Sequence, residues 1–462
     1  MMIRATAALL AFTFLLLVAL PAHAAKDGPN FKVDRITSDT GIEAWLVEDH
    51  SLPLVTMKFA FAGGLIHDPE DKAGLAKLAS VLLDEGAGDI KSQDFQAQLA
   101  NNAIYMGFAP ARDAFMGSLR TTSAHKDLAF DLLALALTQP RFDDEAIARM
   151  KDALSAEIKT NKGDPAWLSA RTFNGMVFEG HYYGQPGGGT LSSIARITRR
   201  DLVDFVKSQF AQNLLSIVIV GDMTKEEAHA MIAKVFAPLP AQAARPQGQP
   251  ATPVHEGKTI LLPVDAPQTY IAIAQPGIAR TDKDWYTAQV MAYILGGGGF
   301  DSRLMKEVRE KRGLTYGIYS TLLTQDYANV LQTTLSVGNA KTPEALDVIR
   351  SEFARMAAQK VSKQELADAK SYLIGALPLE LTTTSDIADV LLSLRLNNLT
   401  PDELTTRAKR INAVSAGEVQ DMAKRLLDPA HMTTILVGQP EGINVDIMLD
   451  RAPGLGDADP AE

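Results

Sequence analysis

No cysteine occurs anywhere in this chain. Disulfides, thiol nucleophiles, cysteine metal ligands and a lipidated cysteine behind an export signal are all excluded. Histidine is scarce. The eight are His23, His50, His67, His125, His181, His229, His255 and His431, and no two lie within four residues of each other. The pair of histidines one helical turn apart that holds zinc from one face is therefore missing. An excess of positive charge is missing too: 45 Lys and Arg stand against 55 Asp and Glu, a net −10. That argues against nucleic acid as a partner, which demands clustered cations. Beyond the first twenty residues no long apolar run occurs, so no later membrane span is expected.

What is present begins with those first residues. Arg4 precedes an almost wholly apolar run over residues 5–20, Pro21 breaks it, and Ala22-His23-Ala24 has the small-x-small pattern of a cleavage site. Residues 1–24 read as a secretory signal, cleaved after Ala24. The run is shorter than a spanning helix requires, which disfavours an uncleaved anchor. The expectation is a secreted, periplasmic protein, soluble after cleavage. The length of 462 residues exceeds what one hydrophobic core sustains, so at least two domains are expected. With 46% apolar and 22% charged residues the composition is that of a globular protein.

Residues 237–257, APLPAQAARPQGQPATPVHEG, have no apolar period and read as a linker. It separates a first half, 25–236, from a second, 258–450, with 451–462 expected as a disordered tail. The halves look like copies. The apolar strand at 216–220 is followed by Gly221-Asp222, and that at 433–437 by Gly438-Gln439. Each follows a helix with a capping signal, at Thr198 and at Ser415-Ala416-Gly417-Glu418. Asp143 and Ser362 open a further helix pair. Val220 to Val437 is an offset of 217 and Asp143 to Ser362 one of 219, which favours duplication. Strands at 42–47 and 54–60, answered by 269–274 in the second half, complete an α+β reading: two duplicated halves, each an antiparallel sheet with packed helices.

Residues 63–88, GGLIHDPEDKAGLAKLASVLLDEGAG, run from a strand end through an acidic turn into a helix starting near Gly74. Residues 294–304, ILGGGGFDSRL, and 308–317, VREKRGLTYG, form a Gly-rich turn, a Ser-Arg-Leu step, a basic helix and an Arg-Gly-Leu-x-Tyr close. Together these resemble the inverted-zincin M16 peptidases of the pitrilysin and mitochondrial processing peptidase type. The resemblance runs over nearly the whole mature chain and is most specific at the second signature. In that family the first helix carries H-x-x-E-H, two zinc ligands with a general base between them. The aligned residues here are Lys77-Leu78-Ala79-Ser80-Val81, so Lys77, Ser80 and Val81 mark a degenerate motif. Glu157, 76 residues past Val81, falls where the family has its third ligand. One carboxylate does not make a three-ligand site, and Glu157 reads as a solvated helix residue or, at most, a vestige. No metal and no cofactor is expected in this chain.

The resemblance further implies an Arg and a Tyr seven residues apart, across from the zinc. Arg309 and Tyr316 have that spacing, and Arg312 competes for the arginine's place. A phenol O–H aimed at a scissile carbonyl is an oxyanion donor, and a guanidinium positions the peptide backbone. The plainer readings are a solvated helix charge for Arg309 and a buried strand aromatic for Tyr316. Gly296, Gly297, Gly298 and Gly299 are followed by Phe300-Asp301-Ser302 rather than Lys-Ser/Thr, which excludes a phosphate cradle. They stand either as a flexible turn or as a mobile substrate loop, while Gly187-Gly188-Gly189 reads as structural.

The resemblance implies a non-metal subunit of a two-chain peptidase. A heterodimeric partner would supply H-x-x-E-H and zinc; this chain would supply Tyr316 as oxyanion donor in trans and Arg309 with the glycines for substrate. The substrate would be unfolded peptide in an enclosed chamber. The alternative is a catalytically inactive scaffold or peptide-binding protein of the same fold.

Overall fold

The computed structural model describes residues 31–244 and 248–455. The expected signal at 1–24 lies outside them. Six strands build the first sheet: β1 (Asp34–Thr37), β2 (Glu43–Glu48), β3 (Leu54–Ala62), β4 (Tyr105–Pro110), β5 (Ala114–Thr122) and β6 (Leu215–Gly221), in the order β1-β2-β6-β3-β5-β4. The second sheet contains β7 (Thr259–Pro263), β8 (Gln268–Pro276), β9 (Ile318–Thr324), β10 (Asn329–Gly338), β11 (Thr433–Gly438) and β12 (Ile447–Met448), in the order β12-β7-β11-β8-β10-β9. Laid side by side, five strands of each sheet follow one plan. The late strand of each half inserts between the first two long ones: β6 between β2 and β3, β11 between β7 and β8. The α+β class and the duplication are those the sequence suggests. The sheets are not wholly antiparallel, however. β2 runs parallel to β6, with Ala44 opposite Ile217, and β7 runs parallel to β11, with Thr259 opposite Thr434. A chain that returns through several helices before rejoining the sheet is free to enter in either direction.

Helix starts follow the capping signals closely. Thr198 caps α4 (Arg199–Gln209) with Asp201, Ser362 caps α5 (Lys363–Ala376) with Glu365, and Ser415 caps α7 (Ala416–Leu426) with Glu418, each a complete capping box. Asp143 departs from this. It stands at the start of α2 (Asp144–Asn161) without capping it, because its carboxylate is held by the Arg141 guanidinium at 2.7 Å.

The halves are interlocked by exchanged helices. α3 (Pro165–Val177), from the first half, packs on β8 and β11 of the second sheet. Leu168, Phe173, Met176 and Val177 join Ile260, Ala272, Ile435 and Val437 in one core. α6 (Thr384–Leu396), from the second half, packs on β3 and β6 of the first sheet. Ile387, Ala388, Leu391 and Leu392 join Trp45, Val47, Val218 and Val220 in another. The opposite faces, carrying Ile217 and Ile219 in one sheet and Leu436 in the other, meet helices of their own half. Burial on both faces explains why β6 and β11 read as continuous apolar runs.

Residues 237–257 join the halves without forming a helix or strand where described, and they lie against the fold. The Ala251 N–H donates to the Tyr327 carbonyl and the Val254 N–H to that of Val177. The first residues of the expected tail are part of the fold. Ala452 is buried, and Arg171 donates to the carbonyls of Pro453 and Gly454 at 2.9 and 3.0 Å, which ties 451–455 to α3. The remainder of that tail, 456–462, lies outside the described residues.

Candidate functional site

Lys77 and Ser80 lie on a short helix that ends at Val81. α1 (Leu75–Ser80) spans six residues and starts from Gly74, whose φ of 93° only glycine adopts easily. Asp68 fixes that start: its carboxylate accepts the N–H groups of Gly74 and Ala76, both at 2.8 Å. Burial pushes the Asp68 carboxyl up to about 7, against the pull of those N–H groups. Gly189 meets α1 from the other side, with Gly74 and Ala73 so near that a Cβ on either glycine would clash with backbone. For Gly189, the structural reading of that loop agrees with this packing.

Ser80 and Val81 are turned to other tasks. Ser80 is buried and its Oγ donates to the Lys77 carbonyl at 2.8 Å; Val81 packs against the first core. Lys77 and the exposed Glu157 are brought to one cavity of about 490 Å³, which Asp68 also lines. A lysine, a hydroxyl already used as donor and a hydrocarbon do not fit a zinc ion. No group of three or more His, Asp or Glu side chains able to hold a metal occurs among the described residues.

The cavity has residues that the sequence did not single out. Arg112 donates to the Tyr183 carbonyl, and its guanidinium lies 4.9 Å from the Tyr183 ring centre. Arg171 lies 4.8 Å over Trp167. The Tyr182 and Tyr183 hydroxyls both donate to Asp113, Tyr183 at 2.6 Å; burial first and this carboxylate second push both phenols up. Asp113 also accepts the Asp326 N–H at 3.2 Å, so the cluster reaches the β9–β10 hairpin of the second half. Trp167 and Arg171 stand one turn apart on α3, whereas Arg112 lies in the turn between β4 and β5, and no spacing in the sequence brings that arginine to the other two.

The second-half signature forms a distinct surface, away from that cavity's lining. A π-helical turn over Tyr293–Gly297 leads into the glycines, and another spans Met305–Glu310. Such turns displace the register of side chains and often occur at functional sites. Gly296 is not at the surface: it is buried, and a Cβ there would lie 2.7 Å from the Ser320 nitrogen. Gly298 is close to the Tyr293 ring, whereas Gly299 has φ 56° and open space around it. Arg303, buried, clasps Glu365 at 2.7 and 3.1 Å; burial opposes ionisation there, yet this fork and the Ser362 N–H hold Glu365 down at about 2.

The two candidate arginines are separated by their partners. Arg312 donates to the Glu307 carbonyl at 2.7 Å and its carboxylate at 2.9 Å. Lys311 and then Arg312 hold the Glu307 carboxyl below its usual range. Arg309 has no carboxylate within ion-pair distance among the described residues and rests 4.4 Å over the exposed Phe300 ring. Tyr316 is neither a strand residue nor buried: it is 85% exposed, two residues before β9. Its turn is fixed from below by Thr315, whose Oγ1 donates to the carbonyls of Gly317 and Ser336.

The family described as "Peptidase M16 inactive domain" matches residues 196–373. A "non-peptidase homolog" of Helicobacter pylori is 26% identical over 398 residues, covering 84% of this chain and 90% of the relative. An uncharacterized zinc protease of Mycobacterium leprae is 25% identical over 383 residues, covering 76% and 84%. Among solved structures, a peptidase M16 inactive domain from Pseudomonas fluorescens superposes with a TM-score of 0.83 at 27% identity, over 90% of this chain and all of that one. A protease from Helicobacter pylori shares the fold, with a TM-score of 0.80 at 17% identity, over 88% of this chain and 99% of that one.

Proposed function

We infer, from the premise that this chain belongs to the M16 peptidase family, that it is the non-metal subunit of a two-chain peptidase. It acts in the periplasm after export, beside a partner that carries H-x-x-E-H and zinc. The two chains enclose a chamber that admits unfolded peptide.

The observation that carries this reading is the state of Arg309 and Tyr316. A phenol 85% exposed on a braced turn has no packing role to explain it. A guanidinium resting on an aromatic face, with no counter-carboxylate among the described residues, keeps its donors for a visitor. As a peptide bond is attacked, negative charge builds on its carbonyl oxygen. The Tyr316 O–H donates to that oxygen, and Arg309 holds neighbouring backbone carbonyls and so fixes the register. Gly297 and Gly299, the more open of the four glycines, let a peptide backbone approach closely. Lys77, Ser80 and Val81 leave the metal's part to the partner.

The test is reconstitution. The chain alone should not cleave an unstructured peptide, the pair with an H-x-x-E-H chain should, and a chelator should abolish that activity. Cleavage by the isolated chain would overturn the assignment. In the active pair, Tyr316→Phe should lower kcat by about 10²–10³, the cost of one oxyanion donor. A second reading, a peptide-binding protein with no part in hydrolysis, draws on the relative named a non-peptidase homolog. Under it the pair forms without activity, and Tyr316→Phe changes nothing.

A further inference from the structure

We propose that the cavity beside Lys77 binds the free carboxylate end of a peptide whose last side chain is apolar. The site lies in the first half, does not include Arg309 or Tyr316, and stands whether or not the chain takes part in hydrolysis.

Lys77 lines the cavity and its ammonium has no hydrogen-bond or ion-pair partner among the described residues. In a chain of net charge −10 a half-buried lysine with no ion-pair partner among the described residues is unusual, and an incoming carboxylate supplies the missing partner. Two more donors belong to the same lining. The N–H groups of Gly187 and Gly188 make no hydrogen bond within the described residues, and Gly188 has open space around it. Backbone N–H groups in a turn are suited to a carboxylate.

The charge balance of the walls points the same way. Three cations, Lys77, Arg112 and Arg171, face two carboxyl groups, and one of these, Asp68, is largely protonated below its value of about 7. The other, Glu157, is exposed and repels a second negative group, so the ligand is a monoanion rather than a phosphate or a dicarboxylate. Phe108, Trp167 and Tyr182 supply the apolar surface. Trp167 lies under the Arg171 guanidinium and Tyr182 is tethered to Asp113, so these walls are set before a ligand arrives. A volume of about 490 Å³ falls in the range of small-ligand sites and suits about two or three residues.

Titration calorimetry on the full isolated chain decides the matter, using N-acetyl-Ala-Ala-Phe as its free acid and as its C-terminal amide. The acid should bind about tenfold tighter or better, the margin of a charge-assisted hydrogen bond. Lys77→Met should bring the acid down to the amide's affinity, Lys77→Arg should keep the preference, and Glu157→Gln should tighten the acid. Equal affinity of acid and amide, no measurable binding of the acid, or an undiminished preference in Lys77→Met would each overturn the proposal. Displacement of the acid by an equal concentration of inorganic phosphate would overturn the monoanion assignment.

Discussion

Asp68 shows how much a single carboxyl can organise. It satisfies two N–H groups at the start of α1 that no helical bond reaches, and it is buried at the cavity wall while doing so. Its folded-state value of about 7 stands far above the ~3.9 of an unfolded chain. Across about pH 4–7 the folded protein therefore keeps a proton that the unfolded chain has released. This residue's contribution is fully present below pH 4 and is lost as pH rises to 7. Its neighbour His67 has the opposite sign. Burial lowers its pKa, so the unfolded chain takes up a proton first and stability falls as pH drops through the ordinary histidine range. Asp68→Asn removes only the first dependence. In urea unfolding, the advantage of the parent over the variant should shrink between pH 4.5 and 7.5, by up to about 3 kcal/mol. An advantage independent of pH would show that Asp68 is ionised in the fold throughout. None of this was readable from the sequence, where Asp68 was one acid in an acidic turn. Spacing singled out Arg309, but that Arg312 is held by Glu307 while Arg309 is not became visible only in the fold.

At the scale of elements the sequence was a good guide wherever the cause is local. Capping boxes at Thr198, Ser362 and Ser415 bind residues three apart, so their physics is contained in a tetrapeptide. Strands β6 and β11 were visible as apolar runs for the same reason. The glycine segment was less legible, because two of its four members answer to distant neighbours. Gly296 is small so that the Tyr293–Gly297 turn can lie against Ser320 of β9. Gly296→Ala should push that turn off the strand and cost about 1–3 kcal/mol. Gly299→Ala meets no atom and pays only for its left-handed backbone, about 1 kcal/mol. Thermal unfolding of the two variants checks the order. If Gly299→Ala were the worse, the segment's glycines would be there for backbone conformation rather than for packing.

For the whole molecule the decisive fact is the exchange of α3 and α6. Neither segment was singled out in the sequence, and periodicity in any case holds no information on which sheet an apolar helix face meets. The halves therefore do not behave as two beads on a string. Leu391 lies in the second half yet is fully buried against the first sheet. Leu391→Ala should cost about 2–5 kcal/mol and lower a single calorimetric transition as a whole. Two separated transitions would show that the halves are thermodynamically independent.

The exchange also sets a schedule. The first sheet is complete in sequence at Gly221, but the helix that covers one of its faces starts at Thr384, roughly 160 residues downstream. At about 5–20 residues per second a ribosome needs about 8–30 s to make that stretch. Throughout that interval the first half has one bare apolar face and stays loosely held. Closure of the fold therefore waits on the second half, and the first sheet reaches its final packing only when most of the chain has been made.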